Sequence, residues 1–184
     1  MAFSFSVVFL ILDLILFTIF IISVFVKIGI PDNLSTTYYL YQDIRKGTGW
    51  YFPSLIVFIC FTGILVWISS TYHASSWGSK FTILPVITLL CLLAVAASAK
   101  YKKNKKLINF HYSVAIVGAV CSVAWINLVA YKLIPVGMII LLASIFAGIR
   151  TKTLKSCPLF WLEIAWFYAL LILVLLIVII PVEI

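Results

Sequence analysis

The sequence predicts an all-α protein, a polytopic membrane helical bundle with about six transmembrane helices in a single domain that covers residues 1–184. Composition is the first reason: 65% of the residues are hydrophobic and only 10% are charged, whereas soluble domains are about 45–50% apolar and about 25% charged. The second reason is that the apolar residues form six runs, and a helix needs ~20 such residues to cross a bilayer. The excess of apolar side chains is therefore expected to face lipid.

The six apolar runs define the predicted helices in chain order. A long apolar run without strand-like alternation must be helical in a membrane, because its backbone groups find hydrogen-bond partners only within the helix. The first run lacks a basic leading region and a cleavage site, so we expect a retained membrane helix and not a signal peptide. The spans are placed near residues 4–28, 53–71, 82–99, 108–130, 134–149 and 159–181.

The segment between the first two spans, residues 31–52, is predicted to be an interfacial segment, here called loop one. Gly29 and Pro31 end the first helix. Ser35 is expected to cap a short helix that reaches Ile44. The tyrosines of this helix favour the headgroup layer, where the ring is buried and the hydroxyl stays hydrated. An irregular loop anchored by the same aromatic side chains is the open alternative.

The basic residues predict an orientation in the membrane. Of the 13 lysines and arginines, eleven lie in or beside the loops that follow the first, third and fifth spans. Positively charged loops stay on the cytoplasmic side, so these three loops are predicted to be cytoplasmic and both termini outside, in the bacterial inner (cytoplasmic) membrane. The eleven residues are Lys27, Arg45, Lys46, Lys100, Lys102, Lys103, Lys105, Lys106, Arg150, Lys152 and Lys155.

A short basic run at residues 101–106 contains four of these lysines. Lys102, Lys103, Lys105 and Lys106 are candidate contacts for anionic lipid headgroups, and the alternative is that they only orient the neighbouring helices. The formal net charge of +8 is accounted for by membrane orientation. No nucleic acid partner is expected, because no aromatic-basic recognition motif accompanies the charge.

Ionisable side chains inside apolar runs are the natural candidates for chemistry, because each is costly to place in a membrane. The three candidates are Asp13, His111 and Glu163. Asp13 lies near the middle of the first span, where it is either a proton or cation site or a buried polar anchor for helix packing. One histidine and one carboxylate are too few for a tetrahedral zinc site, and no nucleotide-binding or metal-binding motif is present. No metal or cofactor is therefore expected.

His111 and Glu163 lie near the same predicted cytoplasmic surface, level with Tyr38 and Tyr39 of loop one. A histidine oriented by a carboxylate can act as a general base, and the same pair can equally form an interhelical hydrogen bond. The other histidine, His73, falls in the loop on the opposite face. The polar layer around His111 and Glu163 is thus the place where we expect function.

Three short segments carry a family resemblance: PDNLSTTYY at residues 31–39, NFHYSVAIVGA at residues 109–119 and WLEIAWF at residues 161–167. Their order resembles a small family of bacterial six-span membrane proteins with an S-x-T-Y-Y segment, an H-Y pair and a late W-L-E. More distantly, the chain is similar to the DRAM-type six-span membrane proteins. Those proteins have a proline and a serine after the first helix, a histidine followed by Gly-Ala in the fourth, and a glutamate in the last.

The resemblance implies a membrane protein with a lipid-related or trafficking-related role, without a defined chemistry. One difference separates the chain from the DRAM-type proteins, whose first loop is lumenal, whereas the lysines here place loop one in the cytoplasm. The matching positions are Pro31, Ser35, His111, Gly118, Ala119 and Glu163.

The leading hypothesis is a non-enzymatic multi-pass protein that binds a lipid or a partner protein at the cytoplasmic-side polar layer. The first alternative is a membrane-embedded lipid hydrolase or transferase that uses His111 and Glu163, with Asp13 as a further catalytic candidate. The second alternative is an oligomeric ion channel or pore in which Asp13 faces the path. Expected partners are membrane lipids and either a second copy of the chain or a membrane partner protein. The candidate ligand-binding residues are Ser35, Tyr38, Tyr39, His111 and Glu163.

Overall fold

The computed structural model describes residues 2–73, 83–129 and 131–179, and within these ranges the chain is almost entirely helical and forms no strand. The predicted all-α helical bundle is confirmed. The α-helices of the described ranges are α1 (Ala2–Lys27), α2 (Thr37–Ile44), α3 (Tyr51–His73), α4 (Ile83–Ala97), α5 (Lys105–Val129), α6 (Ile134–Arg150) and α7 (Pro158–Ile179). Single turns of 3-10 helix precede α2, α3, α5 and α6, at Leu34–Thr36, Thr48–Trp50, Tyr101–Lys103 and Tyr131–Leu133.

Each predicted span corresponds to one α-helix. By length and composition, α1, α3, α5, α6 and α7 can cross a membrane. The remaining one, α4, is also apolar but has 15 residues, or about 22 Å of helix, against a hydrocarbon core of ~30 Å. It begins at the edge of a described range, and the predicted span ends at residues 82, 130 and 181 fall outside these ranges. A crossing by α4, and with it the count of six spans, therefore stays a prediction.

Within the described ranges, the five membrane-length helices and α4 form an open ring, in which neighbours pack in the order α5, α4, α3, α1, α7 and α6. Phe17, Ile56 and Phe160 are fully buried where α1, α3 and α7 meet. The two ends of the ring scarcely contact each other. One link across the gap comes from α7, the neighbour of the end helix α6, where the indole N–H of Trp166 donates to the Ser122 hydroxyl of α5 at 2.9 Å. A space is left between α5 on one side and α6 and α7 on the other.

The pair of α4 and α5 is packed closely enough that one position requires glycine. A Cβ atom placed on Gly118 of α5 would lie 2.9 Å from the Cβ of Cys91 in α4, and 3.8 Å from the carbonyl oxygen of Thr88. Small residues allow helix backbones to approach in this way, and such approach is a main source of helix association in lipid. Gly118 therefore fixes one wall of the space beside α5.

Loop one folds back onto one end of the bundle. Gly29 has a φ of +87° where the chain leaves α1, a conformation that favours glycine. Asn33 caps the following turn, because its side-chain oxygen accepts a hydrogen bond from the Thr36 N–H at 2.9 Å. The prediction that Ser35 is the cap is wrong, since the Ser35 hydroxyl bonds to the imidazole of His111 instead.

The predicted short helix that reaches Ile44 is present as α2, and it packs against the bundle. Tyr38 and Tyr41 are buried, and the Tyr41 hydroxyl lies 2.7 Å from the Ser23 hydroxyl of α1. Tyr39 accepts a hydrogen bond from the Lys102 N–H at 2.8 Å. These contacts join the loops after α1 and α4 at the end of the bundle where the eleven basic residues are collected.

Candidate functional site

A chain of three side chains from distant parts of the sequence is centred on His111, of which only 2% is exposed. Its Nε2 lies 3.0 Å from the Ser35 hydroxyl of loop one, and its Nδ1 lies 2.8 Å from the Ser98 hydroxyl that follows α4. The Ser98 hydroxyl also lies 2.7 Å from the carbonyl oxygen of Ala94. Because that oxygen can only accept, Ser98 donates to it and accepts from Nδ1–H. The remaining nitrogen, Nε2, is then free to accept the Ser35 proton.

Tyr101 holds the plane of the imidazole. Its ring stacks on His111 with a centroid distance of 4.2 Å and an interplanar angle of 12°. The Tyr101 hydroxyl is buried and has no hydrogen-bond partner among the described residues, although Tyr112 and Asn33 lie near it. Burial raises the pKa of Tyr101 above its ordinary value, and the proximity of Tyr112 adds to this effect. The stacked ring therefore stays a neutral phenol against the imidazole.

Glu163 reaches the same turn of loop one from α7. Its Oε2 accepts a hydrogen bond from the Leu34 N–H at 2.5 Å, next to the Ser35 that His111 holds. The two predicted residues thus converge on adjacent positions of loop one, although no hydrogen bond joins them to each other. Tyr112 is tied to the same turn, because the Asn33 amide lies 3.4 Å from its hydroxyl.

A large cavity begins at this polar cluster. It has a volume of about 780 Å³, is lined mainly by α4, α5, α6 and α7, and is partly open at the gap in the helix ring. Its polar end is formed by Ser35, Tyr112 and Glu163, while most of its wall is aliphatic or aromatic. Along α5 the lining extends from Tyr112 to Asn127, a distance of about 22 Å at the rise of an α-helix. No lysine or arginine whose side chain is described is among the lining residues.

The open side of the cavity is on the part of the bundle that is expected to face lipid. Ile116 and Val123 of α5, Met138 of α6 and Leu162 of α7 line the cavity and are also among the exposed large apolar side chains. Apolar side chains at the rim of an apolar cavity would leave it open toward acyl chains in a membrane. The opening therefore lies between α5 and the pair formed by α6 and α7.

The other predicted ligand-binding residues lie beside the cavity and do not line it. Tyr38 packs edge-on against Tyr39 and Trp50. The Nζ atom of Lys102 lies 5.4 Å from the centre of the Tyr39 ring, and Lys100 lies at 5.3 Å over Trp50, within the range of cation–π attraction. Tyr38 and Tyr39 therefore attach α2 to the basic turn after α4.

The four lysines predicted to meet lipid headgroups lie at the same end of the bundle as the polar cluster. The side chains of Lys102, Lys105 and Lys106 are exposed, so they are accessible to anionic groups there. The side chain of Lys103 is outside the described part of the structure. None of Lys102, Lys105 and Lys106 lines the cavity.

Asp13 forms a separate buried site between α1 and α3. It is 1% exposed, and the Thr62 hydroxyl of α3 donates a hydrogen bond to its Oδ2. Its Oδ1 has no hydrogen-bond partner within the described ranges. Asp13 does not line the cavity, so the structure does not bring it together with His111 and Glu163.

Sequence reasoning placed Ser35, His111 and Glu163 in one layer but missed Asn33, Ser98, Tyr101 and Tyr112. Within the described ranges, no group of three His, Cys, Asp or Glu residues could hold a metal ion. At the head of the apolar cavity, the cluster offers the Ser35 hydroxyl bonded to an imidazole, the Glu163 carboxylate and the Tyr112 phenol. Comparison of the chain with protein-family models, with curated proteins and with solved structures finds no match.

Proposed function

We propose that this multi-pass membrane protein binds a lipid-like amphiphile, with the apolar chain in the cavity and the polar head at Ser35, Tyr112 and Glu163. The observation that carries the proposal is the cavity of about 780 Å³ with an apolar wall and a polar end. Small-molecule sites have volumes of ~300–1,000 Å³ and combine apolar walls with a few placed polar groups. A lipid-like amphiphile is the occupant that matches both the apolar wall and the polar end of the cavity.

The dimensions of the cavity support an acyl chain as the apolar part. The lining runs for about 22 Å along α5, which exceeds half of a ~30 Å hydrocarbon core, the depth of one leaflet. The exposed apolar rim formed by residues such as Ile116 and Leu162 provides a path from the bilayer. A partner protein is less well matched, because the apolar lining is spread over four helices around a concave space and does not form one flat face.

The polar end defines the kind of head group that fits. Glu163 supplies a carboxylate, and Ser35 and Tyr112 supply hydroxyls, while the described part of the chain contributes no lysine or arginine to the lining. A neutral head with hydroxyl or ester oxygens, such as that of a glyceride, is favoured over a bare phosphate, which binds best to basic groups. The exposed Lys102, Lys105 and Lys106 are proposed to contact the anionic surface of the surrounding membrane.

The proposed setting is a membrane crossed six times, with α4 counted as one of the six spans. The loops after α1, α4 and α6 are proposed to be cytoplasmic, as the basic residues predict, in a bacterial inner membrane. The resemblance to the DRAM-type proteins, which implies a lipid-related role, agrees with this proposal. The polar end of the cavity then lies at the cytoplasmic surface.

Filling the cavity is expected to prevent lipid binding. Ala119 of α5 lines the cavity, and Ala119→Trp places an indole where the chain would lie. We expect native mass spectrometry of the purified protein to show bound lipid on the wild type, and about tenfold less on the variant, equivalent to ~1.4 kcal/mol.

The matched control is Ala143→Trp. Ala143 is exposed on the outer face of α6 and does not line the cavity, so this variant should keep the wild-type amount of bound lipid. Equal lipid on wild type and both variants would contradict the proposal.

A further inference from the structure

Ser35 combines two properties that make a serine hydroxyl reactive. It lies 3.0 Å from the Nε2 of a buried histidine, and it is the serine among the described residues that lines the cavity. Activation of a serine nucleophile requires a base within about 2.6–3.2 Å, itself oriented by a third group. The Ser98 hydroxyl is this third group, and it lies on the other side of the imidazole at 2.8 Å from Nδ1.

We infer, on the basis of the proposed function, that Ser35 is a nucleophile toward an acyl ester whose chain lies in the cavity, and that His111 is its general base. The inference names the substrate class as a long-chain carboxylic ester and the activity as acyl transfer to water. It refines the predicted use of His111 and Glu163, because the carboxylate of Glu163 binds the Leu34 N–H and does not bond to the imidazole.

The hydrogen-bond directions give His111 the protonation that a general base needs. Ser98 donates to the Ala94 carbonyl at 2.7 Å and accepts from Nδ1–H, so Nε2 carries the lone pair that faces Ser35. The arrangement follows the logic of serine hydrolases, in which a third group fixes the tautomer and orientation of the histidine. Tyr101, stacked on the ring at 4.2 Å, prevents the imidazole from rotating away. Ser98 is therefore a positioning residue.

Tyr112 is placed to stabilise the oxygen of the ester carbonyl. Its hydroxyl is anchored by the Asn33 amide at 3.4 Å, two residues before Ser35, and Tyr112 lines the cavity. A tyrosine hydroxyl can donate to the negative charge that develops on a carbonyl oxygen under attack. Glu163 keeps the turn that carries Ser35 in place through the Leu34 N–H.

The proposed reaction has two steps. In the first, the Ser35 oxygen bonds to the carbonyl carbon while its proton moves to Nε2 of His111. The ester C–O bond then breaks and the alcohol leaves with that proton, so that the acyl group remains on Ser35. In the second step, the oxygen of water bonds to the acyl carbon while its proton moves to Nε2 of His111. The bond between that carbon and the Ser35 oxygen then breaks, the proton passes from Nε2 to the Ser35 oxygen, and the fatty acid departs.

The test uses an alkyl fluorophosphonate, a serine-reactive probe with a long apolar chain, on the intact protein in lipid nanodiscs. We expect one adduct, located on Ser35 by peptide mass spectrometry, and none on Ser35→Ala. His111→Gln should react about 10²-fold more slowly, within the range for loss of a general base. The control Ser113→Ala, which alters an exposed serine of α5, should react like the wild type. Melting temperature confirms that each variant is folded.

Two further variants separate chemistry from structure. Ser35→Cys is expected to remain folded and to react with an alkyl iodoacetamide faster than Cys157, which is also buried. Ser98→Ala should slow fluorophosphonate labelling and change its pH profile, while Ser98→Thr, which keeps the hydroxyl, should restore the wild-type profile.

The outcomes also distinguish this inference from the proposed function. Wild-type protein that retains lipid in native mass spectrometry but forms no adduct on Ser35 would overturn the nucleophile and leave lipid binding intact. Equal labelling rates for wild type and a folded His111→Gln would overturn the assignment of the base. Absence of bound lipid from the wild type would count against the proposed function itself.

Discussion

Replacement of His111 by alanine is expected to lower the free energy of unfolding by about 3 kcal/mol, the loss typical of removing a buried ring. The imidazole is 2% exposed, stacks on Tyr101 and joins Ser35 to Ser98. Its removal leaves a void beneath Tyr101 and takes away the hydrogen-bond partner of Ser35. Loop one would then be held at this point mainly by Glu163. A thermal melt should show a fall of roughly 6–12 °C.

The matched control is Tyr112→Phe, which keeps the neighbouring ring and removes only a hydroxyl whose contact with the Asn33 amide is long, at 3.4 Å. It should lower the free energy of unfolding by ~1 kcal/mol or less. Limited proteolysis of loop one provides a second measurement, since release of the loop would expose its buried turn at Leu34–Thr36. A His111→Ala protein with wild-type melting and wild-type protection of loop one would contradict the anchoring role.

Replacement of Gly118 by valine is expected to separate α4 from α5 and to cost about 2 kcal/mol or more, as overpacking does. The first added atom already lies 2.9 Å from the Cβ of Cys91, and a Cβ atom cannot swing aside as the end of a flexible side chain does. The same shift moves the α5 wall of the cavity, so bound lipid should decrease with stability. Melting temperature and lipid content by native mass spectrometry measure the two effects.

Gly137→Ala is the matched control for this substitution. A Cβ atom there would lie 3.4 Å from Cδ1 of Leu173, an ordinary contact with the end of a mobile side chain. Gly137 also lines the cavity, so the control alters the same cavity without forcing helices apart. Wild-type stability is expected for Gly137→Ala. If Gly118→Val melts no lower than Gly137→Ala, the close packing of α4 on α5 is not the feature that holds this wall.

The helices were predictable because each follows from a local property of the chain. The apolar runs at residues 4–28 and 159–181 correspond to α1 and α7 within the described residues, since long apolar segments leave the backbone no other way to bond in lipid. The interfacial segment was less well predicted. Asn33 and Ser35 are both ordinary capping residues, and the choice between them was decided by a partner 76 positions away, His111.

The site was predictable only in part. The order of the apolar runs and of the loops between them places His111, Glu163 and loop one at one end of the bundle, because consecutive spans alternate in direction. Ser98 and Tyr112 could not be selected, since a serine or tyrosine at a span end is common and its role depends on which side chain it faces. The cavity could not be predicted, because it lies where α5 and α6 do not pack against each other. The pattern of apolar residues along one helix does not show which other helices it leaves uncontacted.

The measurement that tests the central claim most directly is photo-crosslinking with a lipid that carries a diazirine in the middle of its acyl chain. In vesicles, the account predicts adducts on cavity residues such as Ala115, Ala119 and Leu170, and their loss in Ala119→Trp. The outward-facing Ile139 and Phe146 should be labelled equally in both proteins. Labelling of Ile139 and Phe146 alone, with none in the cavity of the wild type, would contradict lipid binding at this site.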